Sequence, residues 1–156
     1  MNEPSETILI VEDDVEMQNF LKDILAPDNF TIHTAINGEE GAKQALTRRP
    51  DLILLDLRLP GMTGAAFCRA IRADEQTHNI PIIVVTGTQS REHLVESMIA
   101  GADDFVSKPI DVSDLVKRVR AMLKWKAITD PVERFQHYID TVREMGGESG
   151  SSTRLR

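Results

Sequence analysis

The sequence predicts an α/β protein: a doubly wound, five-stranded parallel sheet with a helical extension at its C-terminus. Three continuous apolar runs, at residues 8–11, 52–55 and 82–85, are typical of strands buried on both faces. Segments with helical periodicity alternate with these runs through the first 124 residues. Because the connections are short, this alternation indicates parallel strands joined by right-handed helical crossovers.

Two weaker patterns complete the set of five strands. Residues 30–34 alternate apolar and polar side chains, so we place this strand at an edge of the sheet. Residues 104–107 form a shorter segment that precedes a lysine and a proline.

Five amphipathic helices are predicted to connect and follow these strands. Asn37 and Ser90 are suitable N-caps for the second and fourth helices, and Pro27 and Pro50 end the first two. The helices are expected at residues 15–26, 37–48, 63–73, 91–101 and 112–124. The inward-facing residues of the fifth helix are expected to be Leu115, Val119, Met122 and Leu123.

Residues 125–156 have a different pattern. Asp130, Pro131 and Glu133 supply a cap, a proline at the first helical position and a glutamate three residues after the cap. Because a lone helix of this length is marginal in water, we expect its apolar stripe to dock, either on the chain's own surface or on the same helix of a second subunit. The stripe consists of Val132, Phe135, Ile139, Val142 and Met145.

These patterns predict three parts along the chain. Residues 5–124 form the α/β domain, and residues 125–146 form a linker and the amphipathic helix. Residues 147–156 are rich in serine and glycine and are expected to be a disordered tail.

Composition and charge narrow the class of protein. The chain is 41% hydrophobic and 28% charged, and no apolar stretch approaches the ~20 residues of a membrane span. Its net charge of −7 arises from residues 1–124, so a nucleic-acid partner is not expected. The N-terminus lacks a signal-peptide pattern, and the single cysteine, Cys68, fits a reducing cytoplasm and a buried structural thiol.

Side chains able to do chemistry follow four of the predicted strands. Glu12 and Asp13 follow the first strand, Asp56 the third, Thr86 the fourth and Lys108 the fifth. Parallel α/β sheets bind ligands at the carboxyl ends of their strands, so these side chains are expected to converge. Three carboxylates suit Mg²⁺, whereas a lysine and a threonine hydroxyl suit a phosphate group.

In this order and spacing, the strand-end residues resemble the receiver domain of two-component response regulators. The similarity extends from about residue 7 to residue 124 and includes the loop at residues 59–64 and the turn at residues 101–103. It implies a flavodoxin-like (βα)5 fold and a cytoplasmic signalling domain rather than an enzyme. Such a domain accepts a phosphoryl group from a histidine kinase or a histidine phosphotransfer protein and then controls a partner or effector.

The resemblance assigns roles to the acidic residues. It makes Asp56 the phosphoacceptor. It implies that Mg²⁺ is bound directly by Asp13, Asp56 and the backbone carbonyl of Arg58, while Glu12 acts through water. Arg58 and Thr88 are expected to tune the lifetime of the phosphorylated state.

The remaining roles concern the phosphate and the switch. The resemblance implies that Thr86, Gly87 and Lys108 surround the phosphate and that the peptide bond before Pro109 is cis. Phe105 corresponds to the switch aromatic of the family, although a permanently buried core phenylalanine is an open alternative. The face made by the fourth helix, fifth strand and fifth helix is expected to change shape and to engage a partner, with a homodimer through this face or through the C-terminal helix also open.

The sequence has three alternatives to a complete, active receiver. A phosphatase of the haloacid dehalogenase type needs a second acid two residues after Asp56, and Arg58 stands there. A docking-only pseudo-receiver would lack one of the acids or Lys108, and none is missing. The chain as the N-terminal receiver of a larger regulator or hybrid kinase stays open.

Overall fold

The computed structural model describes residues 5–87 and 91–146. The strands are β1 (Thr7–Val11), β2 (Thr31–Ala35), β3 (Leu52–Asp56), β4 (Ile82–Thr86) and β5 (Asp104–Ser107). The helices are α1 (Val15–Leu25), α2 (Gly38–Arg48), α3 (Gly64–Ala73), α4 (Arg91–Ala100), α5 (Val112–Lys124) and α6 (Pro131–Gly146). All five strands and six helices of the sequence-based prediction are therefore present. The predicted cap Ser90 and the predicted tail at residues 147–156 lie outside the described residues.

The chain divides into two compact units, Met1–Pro109 and Ile110–Arg156. The first contains the sheet and helices α1 to α4, and the second contains α5 and α6. The boundary that the sequence suggested at residue 124 stays a prediction. No helix in the described ranges combines the length and apolarity that crossing a membrane requires.

The five strands form one parallel sheet in the order β2-β1-β3-β4-β5. The edge position predicted for β2 is confirmed, and its outer residues are partly exposed. Every residue of β3 and β4 is buried, which explains the unbroken apolar runs in their sequences. The register places Val11 beside Leu55 and Asp56 beside Val85, so the polar residues at the strand ends meet at one edge of the sheet.

Side-chain caps fix where the helices begin in the first unit. Asp14 accepts a hydrogen bond from the Glu16 amide, and Asn37 accepts one from the Glu40 amide at 2.7 Å. The Thr63 hydroxyl accepts one from the Ala66 amide, which starts α3 close to the end of β3. These bonds satisfy amide groups that the first helical turn leaves without partners.

The glycine at the start of α3 permits a close approach to α4. A side chain at Gly64 would clash with Leu57 Cδ2 and would lie 3.1 Å from Ser97 Oγ. Ser97 is the buried residue of α4, and its hydroxyl donates to the His93 carbonyl. The contact between α3 and α4 therefore depends on small side chains on both helices.

The second unit bears on where the apolar stripe of α6 docks. The stripe is not the buried face within the chain, because Val132, Phe135 and Met145 are 68%, 48% and 42% exposed, and docking on a second subunit stays a prediction. The buried residues are instead Arg134, Tyr138 and Thr141.

The contacts of Trp125 provide a physical reason for this orientation. Trp125 Nε1 donates a 2.8 Å hydrogen bond to the Thr141 hydroxyl, and its ring stacks on His137 with centroids 4.4 Å apart. These contacts bury a polar face of α6 that satisfies the indole N–H. Trp125 and Tyr138 are therefore packing residues of this unit.

Candidate functional site

Three carboxylates meet at the carboxyl end of the sheet. Glu12 and Asp13 follow β1, and Asp56 is the last residue of β3, which pairs directly with β1. One ligand oxygen from each of the three lies within 4.8 Å of the others. Glu12 and Asp56 are buried, whereas Asp13 is exposed, so the cluster opens toward solvent on the side of Asp13.

Glu12 has a strained electrostatic environment. Its Oε2 accepts a hydrogen bond from the Asp14 amide, but its buried Oε1 has no hydrogen-bond partner among the described residues. Burial, followed by the negative charge of Asp56, raises the pKa of Glu12 to about 7. A positive charge within the cluster would stabilise the ionised form of Glu12 and so oppose the rise in its pKa.

Lys108 supplies one such charge from the end of β5. Its Nζ lies 3.7 Å from Asp56 Oδ1 and 3.8 Å from Glu12 Oε1, which is ion-pair range but longer than a hydrogen bond. Asp56 Oδ1 also accepts a 3.3 Å hydrogen bond from the Arg58 amide. One lysine among three carboxylates leaves the cluster with net negative charge.

Thr86 and Gly87 form the wall beside Asp56. The Thr86 hydroxyl donates a 2.9 Å hydrogen bond to the Gly87 carbonyl, so its proton is engaged with the backbone. The Lys108 amide donates to the Thr86 carbonyl at 2.7 Å, which ties the ends of β4 and β5 together. The peptide bond between Lys108 and Pro109 is cis.

Phe105 lies on β5, and 36% of it is exposed. The alternative of a permanently buried core phenylalanine is therefore wrong. Thr88, the other residue expected to tune the site, lies outside the described residues.

A pocket of about 320 Å³ adjoins Thr86 and Arg58. Its other lining residues come from the β3–α3 connection, the start of α3 and one side of α4, namely Leu57, Leu59, Thr63, Gly64, Ala65, His93 and Glu96. The sequence did not predict this pocket, because its lining residues from α4, His93 and Glu96, belong to no motif that indicates a binding site. The glycine at position 64 was the faint signal, since close helix contacts favour glycine.

The carboxylate cluster is suited to bind Mg²⁺. Mg²⁺ prefers oxygen atoms and is usually held by one or two carboxylates with several waters. Glu12 Oε1, which is buried and accepts no hydrogen bond among the described residues, and the exposed Asp13 match that preference, because one provides an unsatisfied acceptor and the other an open side for water. The three carboxylates of Glu12, Asp13 and Asp56 are the groups that the structure brings close enough together to hold such an ion.

The fold and the strand-end site define an α/β domain with an acidic cluster at the carboxyl end of its parallel sheet, and comparison with known proteins identifies the family. The response-regulator receiver domain matches residues 8–120. The chain therefore belongs to the response-regulator receiver family and is a signalling domain of two-component systems.

Individual relatives support this assignment. The chain is 37% identical over 126 residues to the response regulator ArlR of Staphylococcus aureus, a match that covers 81% of this chain and 56% of that protein. The chain thus spans little more than half the length of the curated relatives it matches.

Solved structures resemble the chain over most of its length. The receiver domain of a histidine kinase from Syntrophus aciditrophicus has a TM-score of 0.72 and 34% identity, and the match covers 77% of this chain and 91% of that one. The receiver domain of sensor histidine kinase PA1611 from Pseudomonas aeruginosa, with a magnesium ion coordinated in its active-site cleft, has a TM-score of 0.70 and 28% identity over 80% of this chain and all of that one.

Proposed function

We propose that Asp56 accepts a phosphoryl group from a phosphohistidine on a histidine kinase or a phosphotransfer protein. The observation that carries this proposal is the buried Asp56 carboxylate at the end of β3, with Lys108 Nζ 3.7 Å away. A carboxylate oxygen forms the new bond to phosphorus, and the phosphorus–nitrogen bond of the donor breaks. The imidazole leaves with the bonding electron pair and takes up a proton.

The chain's own residues would prepare this transfer by position and charge. Lys108 places a positive charge where negative charge accumulates on the transferring oxygens. The Arg58 amide, which donates to Asp56 Oδ1, fixes the carboxylate plane. The Thr86 hydroxyl now donates to the neighbouring Gly87 carbonyl, and a rotation about χ1 would free its proton for a phosphoryl oxygen.

Asp13, Asp56 and the backbone carbonyl of Arg58 would bind Mg²⁺ directly, and Glu12 would act through water. When bound, Mg²⁺ neutralises negative charge on the phosphoryl group as it passes to Asp56.

We further propose that Thr86 and Phe105 carry the signal away from the site. Once the Thr86 hydroxyl donates to the phosphoryl group, it leaves the Gly87 carbonyl and vacates space beside β5. Phe105, which is 36% exposed, gains apolar burial by turning into that space. The face that includes α4 and β5 then changes shape for a partner or effector protein, with α5 completing it as the family resemblance implies.

The product is an acyl phosphate that water hydrolyses, so the signal has a limited lifetime. Arg58 borders both the pocket and Asp56, and we propose that it influences access of the attacking water. We assign the same role to Thr88 from the family resemblance. The partners are expected to be proteins rather than nucleic acid, because the net charge is −7.

The proposal is tested by substituting Asp56 and a matched carboxylate. Asp56→Asn should abolish labelling by acetyl phosphate and the spectral response to beryllofluoride, both measured with Mg²⁺. Asp14→Asn makes the same charge change near the site, and asparagine preserves the helix cap at that position. This control should be labelled nearly as fast as the unmodified chain.

Mass spectrometry of the labelled chain locates the phosphoryl group. A label that persists in Asp56→Asn at the original rate would remove Asp56 from the role of acceptor. Equal loss of labelling in both variants would show that the effect is general charge and not the acceptor itself.

A further inference from the structure

The outward side of α6 carries apolar residues at heptad spacing. Val132, Phe135, Ile139, Val142 and Met145 form what we call the α6 strip. Val132 and Phe135 are 68% and 48% exposed, Met145 is 42% exposed, and Ile139 and Val142 between them are half-buried. Apolar side chains exposed in one continuous row are typical of an interaction surface.

A neighbouring face of α6 is already packed within its own unit. Thr141 accepts the Trp125 hydrogen bond, His137 stacks on the indole ring, and Tyr138 is fully buried. Turning α6 to bury the strip against α5 would break these contacts. The strip therefore needs a partner outside the unit that contains it.

We propose that the α6 strip pairs with the same strip of a second copy of this chain, with the two helices antiparallel. Intervals of three and four residues separate the strip positions, which is the spacing that lets one helix insert side chains between those of an identical helix. Ile139 is the central residue of the strip, so a two-fold axis through this position matches every member with another. An isologous pair of this kind needs only one surface.

Charge favours a second copy on this unit and the antiparallel direction. Residues 110–156 carry nine basic and seven acidic side chains, whereas residues 1–109 carry nine basic and eighteen acidic ones. Two copies that meet through the unit containing α6 therefore face much weaker repulsion of net charge than two copies that meet through the acidic unit. Antiparallel helices bring the opposite ends of the two helix dipoles together, and they place Glu133 in the first turn of one copy near Arg143 in the last turn of the other.

The size of the strip predicts a moderate affinity. A helix of 16 residues is about 24 Å long. Two such strips in contact bury on the order of 1,000 Å², the lower bound of specific protein interfaces. The dissociation constant is therefore expected in the micromolar range.

Sedimentation of the full chain tests the pairing. The unmodified chain should change from monomer to dimer between about 5 and 500 μM, a window chosen for micromolar affinity. Phe135→Lys, which puts a charge into the strip, should remain monomeric throughout. Asp140→Asn makes the same change in net charge at an exposed residue outside the strip and should dimerise like the unmodified chain. A chain that is monomeric at the highest concentration, or a dimer that Phe135→Lys leaves intact, would overturn the proposal.

Disulfide cross-linking tests the direction and does not depend on Phe135→Lys folding. Ile139→Cys should give a covalent dimer, because the two copies of position 139 meet at the axis. Val132→Cys should not, since its two copies lie about 21 Å apart along antiparallel helices, far beyond disulfide reach. Cys68 is fully buried and burial raises the pKa of its thiol to about 11, so it does not compete. Cross-linking at both positions would overturn the antiparallel arrangement, and cross-linking at neither would overturn the interface.

Discussion

Burial of Glu12 beside Asp56 gives one carboxyl group of the site an unusual proton affinity. The pKa of Glu12 rises from 4.5 to about 7, first because the group is buried and then because Asp56 is negative. Lys108 and the Asp14 amide act in the opposite direction but do not cancel the rise. Without a bound cation, the folded state therefore holds a proton on Glu12 at pH values where an unfolded chain has lost it.

Because of this proton, the free energy of unfolding of the metal-free chain decreases as the pH rises. The folded-state pKa is raised above the unfolded value, so the stabilisation is complete below pH 4.5 and is lost as the pH rises through about 7. The loss is at most about 3 kcal/mol for a shift of this size. Glu12→Gln should show a flatter profile over the same window, because it has no proton to lose.

Thermal unfolding from pH 5 to pH 8 in EDTA measures the difference between the two proteins, and the chain's histidines contribute equally to both. Identical pH slopes would contradict the raised pKa of Glu12.

Arg72 connects α3 with the segments on either side of β4. Its Nε and Nη2 donate to the Gly101 carbonyl, and its Nη1 donates to the carbonyls of His78 and Ile80. Nη2 also contacts Asp103 Oδ2 at 2.9 Å, and Asp103 accepts the Ile82 amide. One planar guanidinium thus satisfies three carbonyls from two connections, α3–β4 and α4–β5, at the end of the sheet remote from the site.

We expect Arg72→Lys to lower the free energy of unfolding by roughly 1–3 kcal/mol, because an ammonium cannot reproduce the fork of donors and leaves carbonyls without partners. Arg69→Lys is the matched control, since Arg69 is exposed on the same helix. It should stay within about 0.5 kcal/mol of the unmodified chain. Urea unfolding of the three proteins measures these differences in the free energy of unfolding. Equal midpoints for both variants would show that the network contributes no stability.

At the scale of the whole molecule, the extent of the independently folding domain can be tested by truncation. The family match ends at residue 120, within α5, and α5 buries Leu115, Val119 and Met122. We expect a chain ending at Lys124 to unfold cooperatively, and a chain ending at Pro109 to lose cooperativity because it lacks this apolar helix. Calorimetric scans of both chains provide the measurement. A cooperative transition in the shorter chain would move the domain boundary to residue 109.

Most of the sheet was predictable because its signals are local. Continuous apolar runs such as residues 52–55 indicate a strand buried on both faces, and the caps Asp14 and Asn37 mark helix starts within one turn. The convergence of Glu12 and Asp56 was also predictable, since parallel strands end at the same edge of a sheet.

The orientation of α6 and the pocket beside Thr86 were not predictable from local pattern. Apolar periodicity favoured burial of the strip that includes Val132 and Phe135. Periodicity contains no information about the hydrogen bond from Trp125 to Thr141, which orients the helix differently. The pocket is enclosed by segments far apart in sequence, and its volume depends on how closely α3 and α4 approach at Gly64. Both features arise from tertiary contacts between particular side chains.

The hydrogen bond from Thr86 to the Gly87 carbonyl has a consequence for how sharply the domain can respond. A hydroxyl has a single proton to donate, so under the proposed function Thr86 would give up its bond to the Gly87 carbonyl in order to donate fully to a phosphoryl oxygen. The two arrangements would compete for one hydrogen atom. Each molecule would then occupy one of two states, with the Thr86 hydroxyl bonded either to the Gly87 carbonyl or to the phosphoryl group. A graded signal would come from the fraction of molecules in each state.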